Sequence, residues 1–278
     1  MFASRIKAVI AVLALSCIAT ACTVVDVPTL IGRPRIVPRV DMPLTPVQLF
    51  RSFSSVGYSN FHREYGFVRV TVDFADDLFR SVTIESFDTL GLPKDGYFDY
   101  EPHQQALGLN QRLRSLGPSR IAELDAVTGA TVTSQAVRQA ATRATERARV
   151  EKPSTATFYD GVFMATSDRA MRGWTIAIVT IVNDRIDHVL LQGVRPATYI
   201  MADGNISELR DPQGNLVYEV VGPEYPRPEF HHAIQTLERR FVVAGASNLH
   251  MVDTIARATV TSSEARVAVE RALDMARR

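Results

Sequence analysis

The chain has 278 residues, enough for one large domain or two small ones. Its 31 Lys and Arg against 30 Asp and Glu leave a formal charge of +1, which argues against a dedicated nucleic-acid binder, whose phosphate contacts need a net basic footprint. Hydrophobic residues at 46% and charged residues at 22% suit a globular protein and exclude a multi-spanning membrane protein, while two Cys, Cys17 and Cys22, exclude a disulfide scaffold, a zinc finger or an iron–sulfur cluster held by this chain alone.

In chain order, the first segment reads as an export signal over residues 1–21. Arg5 and Lys7 are followed by an apolar run from Ala8 to Leu15, too short for a permanent bilayer span, and then by small residues up to Cys22. Small residues ending at a Cys resemble the bacterial lipoprotein signal, in which that Cys is acylated; the usual Leu three places upstream is Ala19 here. The alternative is an ordinary secretory signal cleaved near Ala21. Residues 22–47 carry Pro28, Pro34, Pro38, Pro43 and Pro46 and read as an extended tether.

The remainder reads as two copies of one unit, residues 48–150 and 157–278. The segment LDAVTGATVTSQAV at 124–137 returns as VDTIARATVTSSEA at 252–265, so that Asp125 and Asp253 lie 128 residues apart. Upstream, Gly66–Val72 leads through Asp76-Asp77 to Phe79–Ile84, and Gly173–Val179 leads through Asn183-Asp184 to Ile186–Leu191; each pair of β-rich runs around a polar turn predicts a hairpin. Turn clusters follow at Gly91–Gly96 in the first copy and at Asp203-Gly204, Asp211–Gly214 and Gly222-Pro223 in the second. Helices are predicted near Gln104–Leu116 and Phe230–Val242.

After each Ala-Thr-Val-Thr-Ser a further helix is predicted. Its apolar face is Val137, Ala140, Ala141, Ala144 and Ala148 in one copy, and Ala265, Ala268, Val269, Ala272, Leu273 and Ala276 in the other. Arg138, Arg143, Glu146 and Arg147 fall mostly off that face. Thr261 and Glu264 fit a capping box. The predicted fold class is α+β: two tandem small domains, each an antiparallel sheet packed with helices and ending in a carboxyl-terminal helix.

Asp125-Ala126-Val127-Thr128-Gly129-Ala130-Thr131 opens onto the helix expected near Ser134. Gly129 permits close approach to the main chain, the helix start offers free N–H groups and a positive dipole end, and Thr128, Thr131, Thr133 and Ser134 supply hydroxyls. These features suit a phosphate, although Ser and Thr also favour helix starts for local reasons.

The stretch resembles the flavinylation motif of the FMN-binding domain family, an Asp followed by Ser/Thr-Gly-Ala-Thr. That family includes the flavin-carrying components of the sodium-translocating NADH:quinone reductase and of the Rnf electron-transport complex. Phe158–Phe163 is similar to the family's opening Asp-Gly-aromatic segment. The resemblance implies covalent FMN, joined by a phosphoester to Thr131 through a separate flavin transferase. It implies a cofactor site of Asp125, Thr128, Gly129, Ala130, Thr131 and Ser134, with Thr128 and Ser134 as phosphate donors. In the second copy Asp253 and Thr259 are kept, but Ala256 and Arg257 replace Ser/Thr and Gly; the Arg is expected either to force a different loop or to pair with a phosphate, and Thr259 is a weaker acceptor candidate.

The reading that follows is a flavoprotein lipoprotein anchored through Cys22 to a membrane, facing outward or into a periplasm. It would carry electrons from a membrane donor to an exported acceptor, and would be more a carrier than an independent enzyme, with no catalytic residue or metal ligand assigned. The alternatives are a flavin-dependent extracytoplasmic reductase whose second unit forms part of the site, and a non-redox binding lipoprotein that reuses the fold. Trp174 reads as core or interface packing, the adjacent His231-His232 cannot share an ion, and Arg239-Arg240 reads as a solvated helix face.

Overall fold

Alternating β-branched and aromatic residues build the first sheet. The computed structural model describes residues 48–94, 101–202 and 204–278. The expected signal peptide, Cys22 and the tether therefore lie outside the described residues. β1 (Ser54–Tyr58), β2 (Phe67–Ala75) and β3 (Leu78–Phe87) form an antiparallel sheet in that order. The β2–β3 connection is the two-residue turn Asp76-Asp77, with φ of 50° and 60°. Two successive left-handed residues make the turn whose twist matches a hairpin, and Asp tolerates that conformation better than most side chains. The Asp77 carboxylate then accepts the backbone N–H of Phe50 at 2.8 Å and of Leu49 at 3.0 Å, which fixes the entry of the chain.

Val68, Val70, Val72 and Phe74 point to one face of β2 and are buried. That face meets the last helix of this half. α1 (Glu101–Leu107), α2 (Asn110–Leu116) and a short 3-10 helix (Pro118–Glu123) come between, and α3 (Thr131–Ala148) closes the layer. Val137, Ala140, Ala141, Ala144 and Ala148, the expected apolar face, are fully buried. Small side chains let the helix approach the sheet closely. At Gly57 an added Cβ would lie 2.1 Å from the Ala140 carbonyl oxygen and 2.4 Å from the Ala144 nitrogen.

The second half runs in a similar order. β4 (Gly161–Thr166), β5 (Trp174–Val182) and β6 (Arg185–Pro196) are antiparallel, with the short β9 (Tyr218–Val220) on the far edge of β6. The β5–β6 turn is Asn183-Asp184, again left-handed at 50° and 62°. Asp184 accepts the N–H groups of Phe158 at 2.8 Å and Thr157 at 3.0 Å. Those two backbone bonds hold its pKa below the ordinary carboxylate value. α4 (Pro228–Ala244), a 3-10 turn at Leu249–Met251 and α5 (Thr259–Ala276) follow, and α5 buries the predicted Ala-rich face against β4 and β5. A small hairpin, β7 (Thr198–Ile200) and β8 (Ile206–Glu208), is inserted after β6 and has no counterpart among the described residues of the first half.

The protein is thus mixed α and β, with antiparallel sheets and a carboxyl-terminal helix, as expected. Both halves belong to one compact unit, Pro46–Arg278, with one buried cluster under each sheet. The halves are joined by arginines of α3 that the helical pattern placed off the buried face. Arg143 is only 6% exposed. Its guanidinium donates to the Tyr58 carbonyl and the Asn60 Oδ1, both at 2.7 Å, and to the Asp160 carbonyl of the second half at 3.3 Å. It lies over the rings of Tyr159 and Phe163 at 5.1 and 4.8 Å. One turn on, Arg147 donates to the carbonyls of Arg277 at 2.6 Å, Asp274 at 3.1 Å and Met275 at 2.9 Å, the open end of α5, and to that of Val56 at 2.6 Å. A cation at a helix carboxyl terminus is favoured by the exposed carbonyls and the dipole together.

Gly57→Ala is expected to destabilise the protein by about 3 kcal/mol, because the new methyl overlaps helix backbone that has no side-chain freedom to yield. A fall in the urea midpoint at unchanged slope would show it; a shift within error would mean that β1 and α3 are not in this contact.

Candidate functional site

The loop before α3 is held by one hydroxyl. The Val127 N–H donates to Ser134 Oγ at 3.0 Å, and Ser134 Oγ donates to the Ala130 carbonyl at 2.9 Å. The Ala130 N–H turns back to the Val127 carbonyl at 3.0 Å. Gly129, at φ 82°, makes the reversal, and Ala130 is the N-cap with no side-chain hydrogen bond. The helix therefore begins at Thr131, three residues before the start expected near Ser134. Ser134, which the resemblance places among the phosphate donors, is 3% exposed and its single proton goes to the Ala130 carbonyl, so in this structure it positions the loop.

This arrangement leaves Thr131 on the outside. It is exposed, as are Thr128 and Gly129, and its hydroxyl makes no side-chain hydrogen bond among the described residues. First-turn N–H groups have no helical acceptor, so the hydroxyl stands at the positive end of an 18-residue helix. Asp125 is also exposed and, among the described residues, reaches only Arg112 on α2, at 3.2 Å. An ion pair this open is worth little, so Asp125 does not hold the loop in place.

Beside Thr131, from Val132 along α3 to Glu146, runs a cleft of about 680 Å3. Its floor is Ala136, Gln139 and Thr142, and the β1–β2 connection supplies His62 and Tyr65, whose rings are 4.8 Å apart. Arg138 and Arg143 give it positive charge, and Tyr159 and Arg278 of the second half close one end. Burial lowers the Arg143 pKa to about 10, which still leaves the group cationic at neutral pH. The same surroundings raise the Tyr159 phenol, chiefly by burial, so it stays protonated. Of these, Arg143 and the aromatic pair were not read from the sequence. Arg143 sits on the flank of the Ala face, a weak signal. His62 and Tyr65 lie in a connection without periodicity.

The second loop keeps the same geometry. Ile255 N–H donates to Ser262 Oγ at 3.0 Å, and Ser262 Oγ donates to the Ala258 carbonyl at 2.8 Å. α5 starts at Thr259, which is exposed. Arg257 occupies the Gly129 place at φ 65°, so the expectation that this Arg could force a different loop is corrected. The hydroxyl lock imposes the left-handed turn, and the Arg bears its steric cost of about 1–2 kcal/mol. The expected capping box is corrected too. The N-cap is Ala258, and Glu264, in the place of Ala136, sends its carboxylate across to Thr175 Oγ1 at 2.9 Å. Where the first helix offers a methyl beside a cleft, the second puts a charged side chain across to β5.

Trp174 is buried, donates Nε1–H to the Leu90 carbonyl at 3.1 Å and packs on Tyr218 at 4.6 Å, a packing role. His231 Nε2 pairs with the Tyr225 carbonyl at 3.1 Å, and no group of three potential metal ligands occurs among the described residues.

The first half is thus an α+β unit: a three-stranded antiparallel sheet backed by a helix, with an exposed threonine at the helix start and a cleft beside it. Residues 65–146 match the family model of the FMN-binding domain, which supports FMN as the ligand of this half. The match runs from Tyr65, before β2, to Glu146, near the end of α3, and so includes the loop and the cleft's helix wall. No curated protein and no solved structure matches the chain.

Two substitutions separate positioning from display. Ser134→Ala is expected to cost about 1–3 kcal/mol, because it orphans the Val127 N–H, whereas exposed Thr131→Ala should stay within about 0.5 kcal/mol. Arg257→Gly should raise stability by about 1 kcal/mol by relieving the left-handed Arg. Thermal unfolding of the three variants reads all three values. A stable Ser134→Ala would remove the hydroxyl lock.

Proposed function

We propose that the protein is an extracytoplasmic flavoprotein built from two FMN-binding-type units, residues 48–150 and 157–278, and held to a membrane by an acylated Cys22. In this reading Thr131 carries FMN as a phosphoester, attached by a flavin transferase, and the protein passes electrons from a membrane donor to an exported acceptor. The observation that carries it is the exposed Thr131 hydroxyl at the head of α3, within a segment matching the FMN-binding domain and next to a cleft of about 680 Å3.

The residues suit the group. Gly129 keeps side-chain bulk away from the loop, the helix start favours an anion, and the cleft has an aromatic pair, His62 and Tyr65, and the cationic Arg138 and Arg143. When bound, the flavin supplies the redox chemistry, and the chain's residues set its exposure and charge environment. Arg143 is fixed by three acceptors before any ligand arrives, so it offers preorganised charge at no reorganisation cost. In the second unit Thr259 is equally exposed, but Glu264 adds negative charge and bulk at the place of Ala136, which disfavours a phosphate-bearing ring system there. We therefore assign one flavin per chain.

The closing of the cleft by Tyr159 and Arg278 also favours a second reading, a flavin-dependent reductase whose second unit forms part of the site. Steady turnover of a soluble acceptor by the flavinylated protein would select that reading over a carrier.

Coexpression with a flavin transferase and intact mass measurement is expected to show one FMN adduct, lost in Thr131→Ala and kept in Thr259→Ala. An adduct persisting in Thr131→Ala, or no adduct at all, overturns the attachment.

A further inference from the structure

A second cavity, of about 390 Å3, lies where the two halves meet. Phe67 lines both it and the cleft beside α3. Its apolar wall is Tyr58, Phe67 and Phe87 from the first half and Met164 and Met275 from the second. Phe67 and Phe87 are stacked, with centroids 4.8 Å apart and planes 12° from parallel. The wall is aromatic, its two rings face each other, and the Arg69 guanidinium lies over Phe87 at 5.2 Å.

Against it stand four guanidinium groups, Arg69, Arg147, Arg169 and Arg271. Two are neutralised: Arg69 by Glu85 at 2.6 Å and Arg271 by Asp168 at 2.5 Å. Arg147 and Arg169 make no ion pair among the described residues. Asp274, the carboxylate of the lining, is bound to Arg277 at 3.0 Å, so its charge is shared and the cavity keeps a positive surplus. Donors are also left over. Arginine has five N–H groups. Among the described residues those of Arg147 engage four carbonyls, leaving one on Nη1, while Arg169 donates to the Gly91 carbonyl alone and lies 5.9 Å from the Trp174 ring.

An aromatic wall facing cationic groups with unused donors is complementary to an anion that carries an aromatic ring. We propose that this interface cavity is a binding site for an aromatic carboxylate or sulfonate, its ring packed against Phe67, Tyr58 and the two methionines and its anionic group at Arg169 and Arg147. It is separate from the flavin position proposed above. Among the described residues, the lining of this cavity and that of the cleft beside α3 have Phe67 alone in common. The inference does not rest on flavin attachment. It uses residues from both halves, so neither half has the site alone.

Isothermal titration of the full chain with 2-naphthalenesulfonate tests it. The expected result is one site per chain, with affinity at least tenfold weaker in Arg169→Gln and within twofold of the parent in Arg271→Gln, whose charge Asp168 already takes. Both positions are exposed, and folding of the variants is checked by circular dichroism. The uncharged 2-naphthalenemethanol and the non-aromatic methanesulfonate should each bind at least tenfold more weakly than the probe, and Thr131→Ala should bind it as the parent does. No saturable heat, parental affinity in Arg169→Gln, an equal loss in both arginine variants, or equal affinity for either control compound overturns the site, and none of these outcomes bears on the flavin adduct.

Discussion

The first loop depends on a single oxygen, Ser134 Oγ. By accepting from Val127 and donating to Ala130 it closes the loop into a ring and sets the first helical residue at Thr131. The Ala130 N–H, turned back to the Val127 carbonyl, supports the same reversal at Gly129. The same lock in the second half, Ser262 between Ile255 and Ala258, holds even with an arginine in the left-handed place. A constraint that survives a costly residue governs the backbone, and the glycine of the first loop removes the cost and the bulk without causing the turn.

The two halves keep one loop geometry but differ in what surrounds it. In the first, Ala136 leaves the helix flank open beside a cleft; in the second, Glu264 crosses to Thr175. The same backbone framework thus stands in two different side-chain surroundings. The interface adds a further layer. Arg143 and Arg147, one turn apart, tie α3 to carbonyls of the second half, and that tie leaves an aromatic and cationic cavity between the halves.

Much of this was legible in the residues. Asp76-Asp77 and Asn183-Asp184 announce two-residue turns, and the Ala-rich spacing from Val137 to Ala148 gives the buried helix face, because both signals are local in sequence. β1 and β4 were not read. Ser54–Tyr58 is too short and too polar to declare a strand, and it becomes one by pairing with β2. The short strands β7, β8 and β9 showed only as the turns between them, since pairs of three residues carry no period. The capping box failed because Thr261 and Glu264 satisfy its spacing while the helix starts three residues earlier than that motif requires.

What the sequence by itself determined is the repeat of the Asp–Ala-Thr-Val-Thr-Ser segment, the hairpin turns and the apolar helix faces. These are encoded in short spacings that any fold would have to respect. Tertiary structure alone decided that Ser134 is spent on the loop, that Arg257 adopts the glycine geometry, and that Arg143 is buried in contact with the second half. Each of those outcomes depends on a partner brought from elsewhere in the fold or on a backbone angle imposed by a hydrogen bond, and a linear pattern records neither.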